Sequence, residues 1–196
     1  MIRFFDLFLS IIVLTLSLPV SLAIIIVNLF VTKGRPFYTQ NRVGRNGVLF
    51  CLIKFRTMYS DSDSKGLITI GNHDSRVTGF GCFLRKYKLD EIPQFCNVIL
   101  GDMSLVGPRP EVLEYVNLYS SEQMKILNVR PGITDYASIE FYDENEILAS
   151  VVDPKKIYIE DIMPKKIELN QKFITDNSLK NYFLILFKTI RRIFIS

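Results

Sequence analysis

The feature that most constrains this chain is an uninterrupted run of 26 residues, Leu7 to Thr32, that contains no charged side chain. As an α-helix the run would measure about 39 Å, at about 1.5 Å per residue, which exceeds the bilayer's hydrocarbon core of about 30 Å. It is the single long apolar run in the sequence, which excludes a multispanning membrane protein. The 48% hydrophobic content excludes intrinsic disorder. The sequence therefore predicts a small domain attached to a membrane.

Three interpretations of the apolar run are open. The first is a plain transmembrane anchor, and the second is a signal peptide cleaved after Ser21-Leu22-Ala23. Cleavage there would leave the apolar terminus Ile24-Ile25-Ile26-Val27, and the unpaired cysteines also argue against export. The third interpretation rests on Pro19 at the centre of the run, because proline removes a backbone donor and kinks a helix. A sharp kink gives a re-entrant hairpin, which the residues alone do not separate from a kinked span.

The charges outside this run are placed unevenly. Residues 33–59 contain six basic and no acidic side chains, and residues 171–196 carry a net charge of +4. Basic residues beside a membrane segment favour the cytoplasmic side and contact with anionic lipid. No recognition motif accompanies the charge, so we expect no nucleic-acid partner. Three cysteines without paired spacing and a single histidine, His73, exclude a disulfide-stapled module and histidine-rich metal sites.

The pattern of the remaining residues predicts an α+β fold, mostly helical with a small β-hairpin. Asn46-Gly47 is the predicted hairpin turn between strands over 37–40 and 48–55. Helices are predicted over 78–88, over 91–100 with Gly101 as the terminating glycine, and over 111–119. Residues 179–195 mix lysine and arginine with large apolar side chains, which is typical of an amphipathic helix at a membrane interface. A core helix with a basic outer edge would show the same pattern.

The most suggestive short string is Asp90-Glu91-Ile92-Pro93-Gln94 at the predicted start of a helix. Helix capping alone would explain the two carboxylates, because acidic groups favour the positive end of the helix dipole. The alternative is chemical, since a helix N-terminus also binds phosphate. A carboxylate there, with Mg²⁺ and arginines to reduce repulsion, could attack phosphorus and form an acyl phosphate. Arg85, five residues before Asp90, could reach the same place.

Basic residues also stand at stiff turns and at the end of a predicted strand. Lys54 and Arg56 follow the second strand, Arg109 lies between two prolines, and Arg130 precedes Pro131. A guanidinium on a stiff backbone is suited to bidentate phosphate binding. For any one of these residues, capping of a carbonyl or exposure to solvent is the simpler explanation.

A second acidic motif, Asp61-Ser62-Asp63, lies in a polar stretch. Many nucleotide-sugar glycosyltransferases use Asp-x-Asp to bind a divalent metal between carboxylates and a diphosphate. A three-residue match is a weak signal, and a solvated loop explains it as well. It nevertheless defines an alternative function, a metal-dependent glycosyltransferase that releases UDP. A further alternative is a non-catalytic, membrane-anchored scaffold whose arginines bind lipid headgroups.

Taken together, several strings resemble the monotopic phosphoglycosyl transferases, a family of bacterial sugar transferases of which this chain looks like a minimal, single-domain member. Besides the apolar run with its central proline, the matching strings are Gln40-Asn41-Arg42-Val43-Gly44, Lys54-Phe55-Arg56-Thr57-Met58, Leu89-Asp90-Glu91-Ile92-Pro93-Gln94, residues 97–110 and residues 129–134. They follow the family's order across most of the chain, and the string that ends in Gly107-Pro108-Arg109-Pro110 is very specific.

The resemblance implies transfer of a sugar 1-phosphate from a UDP-sugar to a polyprenyl (undecaprenyl) phosphate, with release of UMP. Asp90 would be the nucleophile that forms a covalent phosphosugar intermediate, Glu91 its partner, and both would bind the required Mg²⁺. The implied contacts to phosphate and uridine come from Lys54, Arg56, Arg85, Arg109 and Arg130.

The resemblance also implies a membrane arrangement. Residues 1–32 would form a re-entrant helical hairpin broken at Pro19, although Leu18 stands where the family has the serine of its Ser-Pro break. Residues 33–196 would form a catalytic domain on the cytoplasmic face of the bacterial inner membrane, with a C-terminal interfacial helix on anionic lipid. The product would pass to downstream glycosyltransferases that assemble a surface glycan or glycoprotein.

Two departures from the family pattern leave the sugar open. Asp135-Tyr136-Ala137-Ser138 stands where many members have Gly-Trp-Ala-Gln, and Asn170 stands where an aspartate often follows Glu-Leu. The oligomeric state does not follow from the sequence either.

Overall fold

Helices make up most of the fold, and two small sheets lie between them. The computed structural model describes residues 1–59 and 74–195. The helices are α1 Ile2–Val31, α2 Gly79–Lys86, α3 Gln94–Leu100, α4 Leu113–Val116, α5 Tyr136–Glu140, α6 Glu144–Ala149, α7 Pro154–Ile157, α8 Met163–Thr175 and α9 Leu179–Ile195. The strands are β1 Phe37–Val43, β2 Leu49–Phe55, β3 Ser104–Val106 and β4 Gly132–Thr134. The predicted α+β class is confirmed.

The predicted hairpin is confirmed. Strands β1 and β2 pair antiparallel, with Phe37 opposite Phe55 and Val43 opposite Leu49. The turn places Asn46 at a φ of 56° and Gly47 at a φ of 78°, and asparagine and glycine are the residues that adopt such values at least cost. The turn thus follows from the local sequence.

Two of the predicted helix ends are also confirmed. The Thr78 hydroxyl accepts a hydrogen bond from the Gly81 amide at 2.8 Å and caps α2, and Gly101 ends α3 at a φ of 99°. The helix predicted over 111–119 is a single turn, Leu113–Val116. It is short because Tyr115 and Val116 turn into the core, where tertiary packing outweighs the amphipathic pattern.

The parallel pair of β3 and β4 was not predicted. Ser104 pairs with Gly132 and Val106 with Thr134. Each strand has three residues, which is too short for an alternating pattern, and the partners are far apart in sequence. A β-carbon on Gly132 would lie 2.1 Å from the Gly107 nitrogen, so this crossing requires glycine. The pair joins the two glycine-proline motifs of the sequence.

We expect Gly132→Ala to destabilise the protein, because the new methyl group would overlap the Gly107 backbone. A loss of about 3 kcal/mol is expected, equivalent to a fall of about 6–12 °C in melting temperature for a chain of this size. Gly79→Ala is the matched control, since a β-carbon there would meet no atom within 4 Å. Thermal unfolding in detergent measures both variants. Equal melting temperatures would contradict the close crossing.

Helix α1 is continuous from Ile2 to Val31, with Pro19 inside it. The break predicted at Pro19 is therefore not a helix end, because one proline removes one donor and leaves the other backbone bonds of the helix in place. The Ser17 hydroxyl donates to the Leu14 carbonyl at 3.3 Å, whereas the carbonyl that loses its helical donor at Pro19 is that of Thr15. Helix α1 is long and apolar enough to cross a membrane. Within its most apolar stretch of 18 residues, 11% is buried in the protein.

Both ends of α1 are attached to the rest of the chain by buried polar side chains. Asp6 accepts hydrogen bonds from the Leu105 amide and the Tyr182 hydroxyl, both at 2.9 Å, and from Ser104. At the other end Asn28 donates to the carbonyls of Pro36 and Arg56, at 3.1 and 3.0 Å. The helix between these two anchors is largely exposed.

Helix α9 has the amphipathic character predicted for it. Tyr182 and Ile185 are fully buried against the core around β3. The opposite face exposes large apolar side chains, namely Phe183, Leu184, Phe187 and Ile190. A core helix with a basic edge would not expose this face, so the arrangement favours the interfacial interpretation.

Candidate active site

The two predicted catalytic carboxylates lie together in one tight turn between α2 and α3. This turn is a 3₁₀ helix, Leu89–Glu91, and it follows Lys88, which adopts the left-handed conformation with a φ of 55°. Helix α3 begins only at Gln94 and has no side-chain cap. The capping interpretation of Asp90 is therefore wrong, and its burial needs another explanation.

Glu91 is fixed by two cations. Arg109 donates to both of its carboxylate oxygens, from Nη2 to Oε1 and from Nη1 to Oε2 at 3.3 Å. Lys54 Nζ lies 3.2 Å from Oε1. Burial raises the pKa of Glu91, but Arg109 and Lys54 outweigh it and hold this pKa well below its usual range. Glu91 is thus a permanent carboxylate that positions two cations.

Asp90 has the opposite environment. Its residue is 7% exposed, yet its carboxylate makes no hydrogen bond or ion pair with any residue that the structure describes. Burial raises the pKa of Asp90, Lys54 opposes this effect, and the charge of Glu91 adds to it. The Asp90 oxygens are not among the fully buried side-chain atoms that lack a partner, so the small exposed fraction of the residue includes its carboxylate. A largely buried carboxylate that a ligand can still reach is typical of a functional site.

Further cations surround this pair. Burial lowers the pKa of Lys54, which the negative charge of Glu91 opposes. Burial also lowers the pKa of Arg85, and the charge of Asp90 raises it. Arg85 donates to the Thr57 hydroxyl at 2.9 Å, which directs it toward the end of β2. Of the five predicted binding residues, Lys54 and Arg109 contact Glu91, and Arg85 is close enough to Asp90 for its charge to act on that carboxylate.

The other two predicted binding residues are held by different groups. The Arg56 guanidinium lies 5.5 Å from the centre of the Tyr38 ring, in a cation–π contact. Arg130 donates to the Gly101 carbonyl at 2.9 Å, at the end of α3. Arg130 thus makes the carbonyl-capping contact that was the simpler explanation for it.

Two supports of the Gly107–Pro110 loop were not assigned from the sequence. Asp135 is fully buried and accepts a hydrogen bond from the Arg109 amide at 3.1 Å while it caps α5. Arg42 donates to the Pro110 carbonyl at 3.1 Å and to Glu111 at 3.2 Å. Two sequence signals could have identified these supports. Asp135 is a typical N-cap residue before α5, and Arg42 belongs to one of the strings that resemble the family.

The carboxyl groups can be compared with what Mg²⁺ requires. In the described residues, no group of three or more histidine, cysteine or acidic side chains could hold a metal. Mg²⁺ commonly uses one or two carboxylates together with substrate phosphates. Asp90 has free oxygens for such a role, whereas the oxygens of Glu91 already accept from Arg109 and Lys54. Asp61 and Asp63 lie outside the described residues.

The site places a carboxylate that could act as a nucleophile beside fixed positive charges, in surroundings of low dielectric constant. Cations in such a site stabilise a diphosphate more strongly than they would in water. A carboxylate beside them can approach phosphorus without full charge repulsion. The geometry thus suits covalent chemistry on an anionic phosphorus compound.

Comparison with known proteins finds relatives named as sugar-phosphate transferases. A family model described as bacterial sugar transferase matches residues 1–196. The chain is 36% identical over 194 residues to the UDP-N-acetylgalactosamine-undecaprenyl-phosphate N-acetylgalactosaminephosphotransferase of Aeromonas hydrophila, covering 97% of this chain and 43% of that protein. It is 33% identical over 198 residues to the UDP-glucose:undecaprenyl-phosphate glucose-1-phosphate transferase of Klebsiella pneumoniae, covering 99% and 40%.

A third relative is the exopolysaccharide production protein ExoY of Rhizobium meliloti, 38% identical over 147 residues that cover 67% of this chain and 65% of that protein. The chain spans less than half the length of the Aeromonas and Klebsiella relatives. Since the family model matches its whole length, the chain belongs to the bacterial sugar transferase family.

Proposed function

We propose that this protein transfers a sugar 1-phosphate from a UDP-sugar to undecaprenyl phosphate, releases UMP, and does so through a covalent intermediate on Asp90. The observation that carries the proposal is the contrast between the two carboxylates. Glu91 is fixed by Arg109 and Lys54, whereas Asp90 is buried without a partner among the described residues. The names of the Aeromonas and Klebsiella relatives support the choice of substrates.

The reaction has two balanced steps. A carboxylate oxygen of Asp90 attacks the β-phosphorus of the UDP-sugar, and the bond from this phosphorus to the oxygen bridging the α-phosphate breaks. UMP leaves with the electron pair. A phosphate oxygen of undecaprenyl phosphate then attacks the same phosphorus and breaks its bond to Asp90, which regenerates the carboxylate and yields the lipid diphosphate sugar.

The cations have separate roles in this scheme. Arg109 and Lys54 are positioned by Glu91 and stabilise the diphosphate charge, while Arg85 acts from the side of Asp90. Arg56 contacts the Tyr38 ring and Arg130 the Gly101 carbonyl, so their role in this scheme is to support the ends of β2 and α3. Mg²⁺, when bound by Asp90 and the diphosphate beside Glu91, would neutralise phosphate charge.

We also propose where this occurs. The catalytic part, residues 33–196, lies on the cytoplasmic face of the bacterial inner membrane, with α1 re-entrant and α9 on anionic lipid. The exposed apolar surfaces of α1 and α9 support this placement. The product would then be available to downstream glycosyltransferases of glycan assembly, in agreement with the name of the Rhizobium relative.

The nucleotide product tests the proposed function. Purified protein is incubated with a panel of UDP-sugars, Mg²⁺ and undecaprenyl phosphate, and the nucleotide released is identified. UMP is expected. Release of UDP would contradict the proposal and favour a glycosyltransferase that uses Asp61 and Asp63. A complete lack of turnover with every UDP-sugar would instead favour the scaffold.

Replacing Lys54 is expected to change the pH dependence of the reaction. Asp90 attacks as a carboxylate, so kcat/KM falls as the pH drops through the pKa of Asp90. The charge of Lys54 lowers that pKa, and Lys54→Met therefore raises it and moves the acid limb to higher pH. Lys86→Met, which removes an exposed lysine near the Tyr87 ring, is the matched control. An unchanged acid limb in Lys54→Met would contradict this electrostatic role.

A further inference from the structure

One side of the segment from the catalytic turn to the end of α3 is buried. Its residues have the spacing of three and four that places side chains on one face of a helix, and they are Asp90, Pro93, Gln94, Asn97 and Val98. The helical backbone begins before α3 itself, because Ile92 and Pro93 already have right-handed helical dihedral angles. Asp90 and Gln94 therefore lie on one buried face, about one turn apart.

This face is fixed along β2 at two points. Asn97 Oδ1 accepts a hydrogen bond from the Ile53 amide at 3.1 Å, and Asn97 Nδ2 donates to another β2 carbonyl at 2.8 Å. The next residue of β2, Lys54, lies 3.2 Å from the Glu91 carboxylate. Gln94 stands in the chain between these two contacts.

The Gln94 amide differs from that of Asn97, because its donor is unused. Gln94 is 1% exposed, and its Nε2 has no hydrogen-bond acceptor within residues 1–59 and 74–195. A buried amide donor without an acceptor costs free energy, and most such groups in proteins are satisfied. An unpaired donor next to a catalytic turn indicates a partner that it meets during the reaction.

The unused donor of Gln94 is the complement of the unused acceptor on Asp90. In a helical segment a long side chain lies over the preceding turn, toward the residues three and four positions before it. For Gln94 these residues are Glu91 and Asp90. Glu91 already accepts from Arg109 and Lys54, whereas the Asp90 carboxylate has no donor in the described part of the chain. Asp90 is thus the acceptor that remains for Gln94.

We propose that Gln94 is a positioning residue, which donates a hydrogen bond from Nε2 to the Asp90 oxygen that does not attack phosphorus. The inference rests on the proposed function and adds a group that orients its nucleophile. The bond forms when the donor diphosphate enters the site, and it needs only a change of side-chain rotamers, since both residues share one face.

This hydrogen bond assists both steps of the reaction. In the first step one Asp90 oxygen bonds to phosphorus, the other becomes the carbonyl oxygen of the acyl phosphate, and UMP leaves with the electron pair. A fixed second oxygen directs the first toward phosphorus. In the second step the acceptor's phosphate oxygen bonds to phosphorus and the electron pair of the broken bond returns to the Asp90 carboxylate. The amide donor stabilises this returning charge.

The principal variant is Gln94→Met, which removes the amide and keeps an unbranched side chain of similar length. Exchange of labelled UMP into UDP-sugar reports the first step and needs no acceptor. We expect this exchange to fall about tenfold, as for the loss of one hydrogen bond to a charged group. The KM for UDP-sugar should stay within about twofold, because Gln94 acts on the nucleophile. Gln171→Met makes the same change in α8 and should leave both values unchanged.

Thermal unfolding separates positioning from packing. Gln94→Met breaks no hydrogen bond that the structure describes and removes a buried, unpaired amide, so its melting temperature should equal or exceed that of the wild type. Asn97→Met is the structural comparison, since it breaks bonds to β2 and should lower the melting temperature. A fall in Gln94→Met as large as that in Asn97→Met would overturn the proposal.

Gln94→Glu provides a test in which the shape of the side chain is kept. Glutamate lacks the amide donor and adds negative charge beside Asp90, so exchange should fall at least as far as in Gln94→Met. Wild-type exchange in either variant, or a higher KM with unchanged kcat, would overturn the positioning role while the proposed function stands. If the wild-type protein itself catalyses no UMP exchange, the proposed function fails.

Discussion

Asp90→Asn is expected to lower the rate of sugar-phosphate transfer by at least about 10³-fold without loss of stability. The amide has nearly the same shape, but it cannot attack phosphorus as a carboxylate does. The Asp90 side chain makes no hydrogen bond or ion pair with the described residues, so the substitution removes no side-chain interaction of the fold. It also replaces a buried charge with a neutral group, which costs less to bury. UMP release and thermal unfolding, measured on the same preparation, test both parts.

Glu91→Gln is the informative comparison, because its carboxylate has two cationic partners. Its amide would leave Arg109 and Lys54 without their charge partner, so both activity and melting temperature should fall. Asp90→Asn should lower activity alone. The assignment of the nucleophile is wrong if Asp90→Asn keeps a tenth of the wild-type rate. Asp61→Ala and Asp63→Ala should keep their activity, and their inactivation would favour the alternative glycosyltransferase.

The parts of the fold that could be predicted are those with local causes. The Asn46-Gly47 turn and the end of α3 at Gly101 depend on positive φ values, which only a few residues adopt readily. The β3–β4 pair could not be predicted, because it depends on a backbone crossing at Gly107 and Gly132 between distant segments. The role of Asp6 was missed for the same reason: its partner Tyr182 lies 176 residues away.

For the candidate site, the sequence predicted which residues take part better than it predicted which groups they contact. Asp90, Glu91 and Arg109 were named as functional residues from their motifs, and Arg109 does pair with Glu91. Tertiary geometry decides which carboxylate is fixed and which lacks partners, so a sequence motif cannot reveal this difference. Arg130 belongs to an equally specific string, yet its guanidinium contacts the Gly101 carbonyl. Motif membership thus does not separate a binding arginine from a structural one.

Cysteines introduced at the two ends of α1 are expected to react with a reagent on the same side of the membrane. A helix that spans the membrane fully would instead expose its two ends on opposite sides. Asp6 is bonded to β3, and Asn28 to the residue that follows β2. These two segments are themselves joined, because Asn97 bonds the Cys51 carbonyl and the Ile53 amide of β2 while its carbonyl accepts from the Met103 amide. One folded body with buried polar contacts cannot lie on both sides of a bilayer.

The experiment uses a background in which the three exposed native cysteines, Cys51, Cys82 and Cys96, are replaced by serine. One variant has a cysteine inserted between Met1 and Ile2, and the other is Arg35→Cys, an exposed position just after α1. A membrane-impermeant maleimide should label both in inverted vesicles and neither in intact cells. Labelling of one variant in intact cells and the other in inverted vesicles would establish a full span. In that case the contacts of Asp6 and Asn28 could not exist together, because a straight helix would place the two residues on opposite sides of the membrane.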